Sequence, residues 1–572
     1  MDKDLTETIN QNGVKEHNFY KKYESKNEML DYTGITIDKI KNIGANALPI
    51  FYKTKKNIGI FSVCAYRIAE KSFNKDFDKA ITINGYRLRT WFLFKKGIKF
   101  FSKGAYTYYF NIYNCKIDTT FLLQCPIHNI INFSFIRGEE HIKLNIIYDI
   151  FNFTKGRGRT SCLYKYDNVD AVCYFRQGKK NSLHITIRKK NKTDKFSNKC
   201  KVFFAWLLSK ISPGKDIILL FEKMCSKYEE SASVVYEKLI DKGFSNCYFI
   251  ITSASAHVPF IKDQYKKNII WAYSFKHFYY FFRCKKFISS EAIGHAFELR
   301  SANRFAYNKI LSKDIEYIFL QHGVMYMISL DAKARGGVRK GADMPLKSKV
   351  VVSSQLEAKH FIDYAGFKEK DLLITGLPFF DKTFKNANAD HILIMITWRP
   401  WEYNIIKGDL KKSAYYNMVE QVINNIPDKY LNKVWILPHP LFRDIFNKTD
   451  LNKFLPHSNL LSYDRVLQET ALLITDYSSI AYSAFYRGSN VIFCWEELEK
   501  CMEQYGGHLL LNELNVFGDI SLDYNDIAGL VEKNYCTEQN SLYKTRFKEI
   551  VAFNDNKNTE RLVNQLQKAK FI

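Results

Sequence analysis

The chain has 572 residues, 46% of them hydrophobic and 16% aromatic, and a formal net charge of +26. Such a length implies about three or four domains, the apolar content argues against disorder outside the ends, and the charge asks for a polyanionic partner: nucleic acid, an anionic membrane face or phosphorylated substrates. The twelve cysteines are scattered without a Cys-x-x-Cys pair, so neither a zinc site nor a disulfide scaffold is indicated and reduced thiols are expected.

Residues 1–44 form a polar N-terminal segment with room for two short helices, one around Ile35–Ile43. The first thirty residues lack the apolar core of a signal peptide, and no apolar run reaches the ~18 residues of a membrane span. Any membrane contact is therefore expected to be peripheral, on a cytoplasmic protein at the inner face of the cell membrane.

From Leu48 to Ile187 the texture is β-rich. IGIFSVCAYRI, KAITINGYRLRTWFLF, TYYFNIYNCKI, HIKLNIIYDIF, AVCYFRQ and SLHITIRKK are short segments rich in β-branched and aromatic residues. Turn signals such as Asn84-Gly85 and Arg137-Gly138 separate them. The reading is a β-rich accessory domain, a small sandwich, over residues 45–195 with its basic linker. The run Lys179–Lys201 carries nine Lys or Arg against one Asp. The apolar VFFAWLLSKISPGK follows, flanked by Lys199, Lys201, Lys210 and Lys215. Basic residues beside a Trp-containing apolar segment suit an anionic membrane surface. A solvated linker leading into a core helix has the same signature.

From Asp216 strands and helices alternate. Strands are expected at Asp216–Phe221, Cys247–Thr252, Asn268–Ala272, Lys286–Ser289 and Tyr317–Leu320, with a helix over Ser231–Lys242. A second half is read in Val350–Ser353, Leu372–Thr375, Ile392–Thr397, Val434–Leu437, Leu472–Thr475 and Asn490–Phe493. Two Rossmann-like halves joined near Gly376, residues 196–375 and 376–572, predict an α/β chain of the GT-B class behind the β-rich domain.

Four motifs stand at predicted C-terminal strand ends, where open α/β sheets bind ligands. In Gln321-His322-Gly323, a histidine followed by glycine can take a proton from a substrate hydroxyl; a core histidine bonded to a backbone carbonyl fits the pattern too. In Thr397-Trp398-Arg399-Pro400-Trp401, the guanidinium offers a planar fork for phosphate oxygens, or a surface salt bridge. In Pro438-His439-Pro440, a rigidly held histidine suits a leaving phosphate, although two prolines also simply stiffen a loop. In Thr475-Asp476-Tyr477-Ser478-Ser479, a strand, a tight turn and a helix N-terminus could receive a phosphate; ordinary capping uses the same residues.

Together the motifs are more specific than any one. IFLQHGVMYMISLD, VVVSSQLEAKHF, TGLPFFD, ITWRPWE, LPHP and LLITDYSSIAY, in this order and spacing, resemble the CDP-glycerol glycerophosphotransferase family, which includes teichoic acid polymerases and related capsule phosphotransferases. A weaker match begins at LLFEKMCSKYEESASVVYEKL. The resemblance covers roughly residues 216–540. It implies a GT-B fold and transfer of glycerol phosphate, or a similar polyol phosphate, from CDP-glycerol or another CDP-polyol to an acceptor hydroxyl, with release of CMP. It places His322 on the catalytic base, and His439, Arg399, Ser478 and Ser479 on the donor pyrophosphate, with Thr397, Asp476 and Glu497 beside them. Asp476 falls on the acid of the family's D-Y-S-S motif, where it could orient the turn. Three positions depart from the pattern: Tyr482-Ser483 replaces F-D, Phe379 replaces a basic residue, and Glu496-Glu497 replaces Tyr-Asp. The implied acceptor is a lipid-linked or polyanionic glycan. No cofactor or metal is called for. A glycosyltransferase using a nucleotide sugar shares the fold. A nucleic-acid-binding protein would suit the charge, but no zinc finger, RRM signature or basic-aromatic repeat supports it.

Overall fold

The computed structural model describes residues 190–572, apart from 213–215, 299–302, 311, 333–337, 342, 398, 403–404, 407–408, 440–442 and 457–462, and, before residue 190, the paths of the strands. Most of the Ile35–Ile43 helix expectation lies outside the described residues, as do Asn84-Gly85, Gly138, Trp398 and Pro440. By contacts the chain divides into two units, 1–204 with 300–309, and 205–299 with 310–572.

The first unit is β-rich, as its texture predicts. Ile43–Lys53, Asn57–Ile68 and Tyr106–Asp118 run antiparallel as the centre of a six-stranded sheet. An eight-stranded sheet contains Asp78–Ile83, His128–Arg137, Leu183–Lys189, Val169–Gln177 and Ser161–Tyr166 in that order. His128–Arg137 has no counterpart in the sequence reading. After these sheets, helix α1 spans Phe196–Ile211. One face of it is buried and the other exposed. Asn198, Val202 and Ala205 are buried, while Phe196, Phe204 and Ile211 are 82%, 54% and 75% exposed.

The second unit holds two parallel sheets. The first has strands β1 (Ile218–Phe221), β2 (Cys247–Ile251), β3 (Ile269–Trp271), β4 (Lys286–Ser289), β5 (Glu316–Phe319), β6 (Lys347–Val352) and β7 (Leu372–Ile374). Their order is β3-β2-β1-β4-β5-β6-β7, all pairs parallel. β6 and β7, which the sequence reading grouped with the later strands, extend this first sheet. The second sheet has β8 (His391–Met395), β9 (Val434–Ile436), β10 (Thr470–Thr475), β11 (Asn490–Cys494) and β12 (Asp519–Ser521) in the order β9-β8-β10-β11-β12, also parallel. These are the two doubly wound orders. Strands such as β1 and β10 are buried along their whole length, because helices cover both faces, so they read as unbroken apolar runs.

Strand order decides where a ligand can sit. The direction of winding reverses between β1 and β4 in the first sheet and between β8 and β10 in the second, and a crevice opens at the C-terminal ends of each such pair. The halves are tied together at two points. Gly376 has φ +78°, and a Cβ there would lie 2.0 Å from Asn558 Oδ1, so only glycine fits the junction. Helices α5 (Ser541–Ile550) and α6 (Asn558–Lys568) pack against α3 (Gln355–Ala365) and α2 (Ser231–Asp241) of the first half. Asp381 caps α6 by accepting from Asn558 N (2.9 Å) and Thr559 N (2.7 Å).

Candidate active site

The C-terminal end of β1 starts the site. Glu222 is fully buried, and its carboxylate accepts from the backbone N–H groups of Glu229 and Glu230 (2.9 Å each) and Ser233 (2.6 Å). That pins the start of α2 to the sheet edge and sets Glu230 facing the crevice. Between them Lys223, Met224 and Cys225 take φ of 40°, 54° and 58°. Three left-handed residues without a glycine cost roughly 1–2 kcal/mol each and persist only when held. They are held by Glu291 Oε2, which accepts from Met224 N at 2.7 Å, and by Thr252 N, which donates to Cys225 O at 2.7 Å.

The loop after β5 presents His322. Gln321 is again left-handed, φ 62°, and is buried with its Nε2 donating to Val351 O at 2.6 Å. This reversal turns the next side chain out, and the His322 side chain is 47% exposed. Its Nδ1 is 3.5 Å from Glu230 Oε2 and its Nε2 4.0 Å from Glu291 Oε1. His322 is therefore no core histidine.

A cleft of about 420 Å³ connects the two crevices, a size suited to a small-molecule ligand. The first half lines it with Lys223, Lys227, Glu229, Glu230 and His322; the second with Phe379, His439, Tyr463, Asp464, Ser478, Ser479, Ser483 and Arg487. A Cβ on Gly323 would stand 3.7 Å from Ser479 Oγ, so the two walls approach closely there. Burial lowers the pKa of His439, which favours a neutral ring near pH 7. Ser478 and Ser479 precede a short helix, α4 (Ile480–Tyr486), and neither hydroxyl caps it beyond a 3.5 Å contact from Ile480 N to Ser478 Oγ. Both serines line the cleft.

Thr397, Arg399, Asp476 and Glu497 do not line this cleft. Asp476 is fully buried and accepts from Thr397 N at 3.0 and 3.2 Å and from Thr397 Oγ1 at 2.7 Å, joining the ends of β8 and β10. Burial raises its pKa. Arg399 is 1% exposed; it donates to Glu497 Oε2 at 2.7 Å and to Thr397 O at 3.3 Å. The pair is a buried salt bridge, not the surface one the sequence allows. The two terminal nitrogens of Arg399 are engaged inside the second half, while Nε is buried without a hydrogen-bond partner. In this structure these four residues brace the turn that carries Ser478 and Ser479.

Sequence reasoning missed Lys223, Lys227, Glu230, Glu291 and Arg487. Glu230 had a signal: an acid just before a predicted helix start, in the segment after a strand end. Glu291 follows β4 in the same way. Arg487 had none; it pairs with Asp464 at 2.5 Å and donates to Phe384 O at 2.8 Å.

The sequence model of the CDP-glycerol:poly(glycerophosphate) glycerophosphotransferase family matches residues 204–568. The minor teichoic acid biosynthesis protein GgaB of Bacillus subtilis (strain 168) is 26% identical over 376 residues, which is 61% of this chain and 39% of that protein. The chain thus spans well under half the length of that relative. Among solved structures, the wall teichoic acid polymerase TagF aligns at a TM-score of 0.45 and 16% identity, over 66% of this chain and 98% of that one. The lipopolysaccharide outer core galactosyltransferase WaaB aligns at 0.32 and 10%, over 62% and 100%. With its match running through both parallel sheets and the cleft between them, the chain belongs to the CDP-glycerol:poly(glycerophosphate) glycerophosphotransferase family.

Proposed function

We propose that this chain transfers glycerol phosphate, or a similar polyol phosphate, from a CDP-activated donor to an acceptor hydroxyl in teichoic acid or capsular polymer synthesis. The observation that carries the reading is the family match, which spans every residue lining the cleft. The acceptor oxygen attacks the β-phosphorus of the donor. A P–O bond forms to the acceptor, the bond from that phosphorus to the bridging oxygen breaks, CMP leaves, and His322 takes the acceptor proton. The second half holds the donor: His439 and the Ser478 and Ser479 hydroxyls donate to its phosphate oxygens, and the Thr397–Asp476 and Arg399–Glu497 pairs keep that wall in place. The first half receives the acceptor. Such chemistry depends on positioning and electrostatics more than on covalent participation by the protein.

The acceptor in this reading is a lipid-linked or polyanionic glycan, met at an anionic membrane surface. Helix α1 supports that partner: Phe196, Phe204, Leu207 and Ile211 are exposed beside exposed Lys195, Lys199, Lys201 and Lys210, an apolar face with a cationic border. No helix among the described residues is long and apolar enough to cross a membrane. The test of the activity is incubation with a panel of CDP-polyols and a lipid-linked acceptor. CMP release that depends on acceptor is expected. Release of a nucleoside diphosphate from a nucleotide sugar, with no CMP from any CDP-polyol, would overturn the reading.

A further inference from the structure

Two carboxylates flank the ring of His322, and they are held differently. Glu291 is committed to structure: its Oε2 takes Met224 N–H at 2.7 Å and pairs with His295 Nδ1 at 2.8 Å. Its approach to His322 Nε2 is 4.0 Å, beyond a hydrogen bond. Glu230 is aimed at the ring. Its backbone N–H is anchored on Glu222 at 2.9 Å, its Oε1 meets Lys223 Nζ at 3.0 Å, and its Oε2 accepts from Ser290 Oγ at 2.9 Å. That leaves Oε2 3.5 Å from His322 Nδ1, the long contact usual for an unliganded site. Burial works to raise the pKa of Glu230, but the hydrogen bond with His322 and the charge of Lys223 outweigh it and hold it at about 2, so it stays ionised across the working range.

We infer that Glu230 is a positioning residue for the transfer: it accepts the Nδ1–H of His322, fixes the tautomer that leaves Nε2 open to the acceptor proton, and offsets the positive charge of the ring once that proton arrives. Lys223 and Ser290 stop the carboxylate from swinging away. The inference rests on the proposed function for His322. It adds an element that neither the family match nor the motif residues assign.

The test uses the full chain with Glu230→Gln and Glu230→Asp, each in the wild-type and the His322→Ala background. Acceptor-dependent CMP release is measured against donor concentration. Glu230→Gln should lower kcat by about 10- to 100-fold while the donor KM stays within about twofold. Glu230→Asp should recover part of the loss. In the His322→Ala background, Glu230→Gln should cost nothing more, since residues acting as a unit are not additive. An equal loss in both backgrounds, or a change in KM with kcat intact, would overturn the inference. A readout without substrate separates this from failure of the activity itself. In the spectrum of 15N-histidine protein, the His322 signal, identified by its loss in His322→Ala, should show a protonated Nδ1 that Glu230→Gln redistributes between the two nitrogens. A wild-type ring protonated at Nε2 instead would refute the positioning role whether or not CMP is released.

Discussion

Replacing Asp476 separates a residue that holds the donor wall from one that touches the donor. Its carboxylate is buried and accepts both the backbone N–H and the hydroxyl of Thr397. Asp476→Ala leaves the half-buried N–H and hydroxyl of Thr397 without their acceptor, at about 1–3 kcal/mol each. Relief from burying a carboxylate offsets part of this, since burial already raises its pKa. Arg399 keeps Glu497 at 2.7 Å, so no unpaired buried cation is added. The net expectation is about 3 kcal/mol. Asp476→Asn keeps one oxygen for Thr397 but sets an amide N–H2 near its N–H, and should cost about half as much. Hydrogen exchange at the amides of β8 and β10 is the assay, because it reads the second half without requiring the whole chain to unfold at once. Donor affinity is measured in parallel with CDP-glycerol. Loss of protection in both variants, with affinity falling only in proportion, is expected. Protection unchanged within about 0.5 kcal/mol beside complete loss of donor binding would refute the bracing role.

Three further outcomes are expected. His322→Ala should lose transfer by about 10²-fold or more with donor binding nearly normal, whereas His439→Ala should weaken donor binding, slow the chemistry, or both; normal turnover in His322→Ala would refute the base assignment. Binding to anionic vesicles should weaken with salt and fall when Phe203, Phe204 and Leu207 of α1 become serine, or when Arg188, Lys189, Lys190 and Lys192 lose charge, since each such cation adds about 1 kcal/mol; binding unchanged in both variants would place the contact elsewhere. His277 is buried between Tyr273 N–H and Ala296 O, and burial pushes its pKa from 6.5 down to about 4. The unfolded chain takes this proton first, so stability is complete above pH 6.5 and falls as the pH drops toward 4, by about 3 kcal/mol; equal acid sensitivity in folded His277→Gln would assign the loss to other groups.

The strands that could be read from the sequence are those buried on both faces. DIILLF, CYFII, HILIM and ALLIT each contain an unbroken apolar run of four or five residues, and the sheets contain them with ends shifted by one or two residues. The short β12 carries too few apolar residues to register. Assignment of strands to sheets was harder, because Lys347–Val352 and Leu372–Ile374 look the same in either half; only the parallel pairings of β5 with β6 and β6 with β7 decide it. His322, His439, Ser478 and Ser479 were legible because each follows such a run. The fate of Arg399 was not. A guanidinium beside a strand end reads as available until its partner is known, and Glu497 is 98 residues away in sequence.

The carboxylates around His322 were illegible for a related reason. Lys223, Glu291 and His322 are widely separated in sequence, yet they stand at the ends of β1, β4 and β5, which are adjacent strands. Their meeting is a consequence of winding order, the property that a one-dimensional pattern states least directly. The strain at this place points the same way. Left-handed residues cluster at Lys223–Cys225 and recur at Gln321, the ends of β1 and β5 on either side of β4, with no glycine to ease them. Glu291, which holds the first strained segment through Met224 N–H, also faces His322. Glu230, which holds Lys223, faces it from the other nitrogen. The contacts that offset the backbone strain are thus the contacts that surround the proposed base. A substitution that lets the Lys223–Cys225 segment relax should therefore disturb the ring of His322 even though it removes no atom within reach of it.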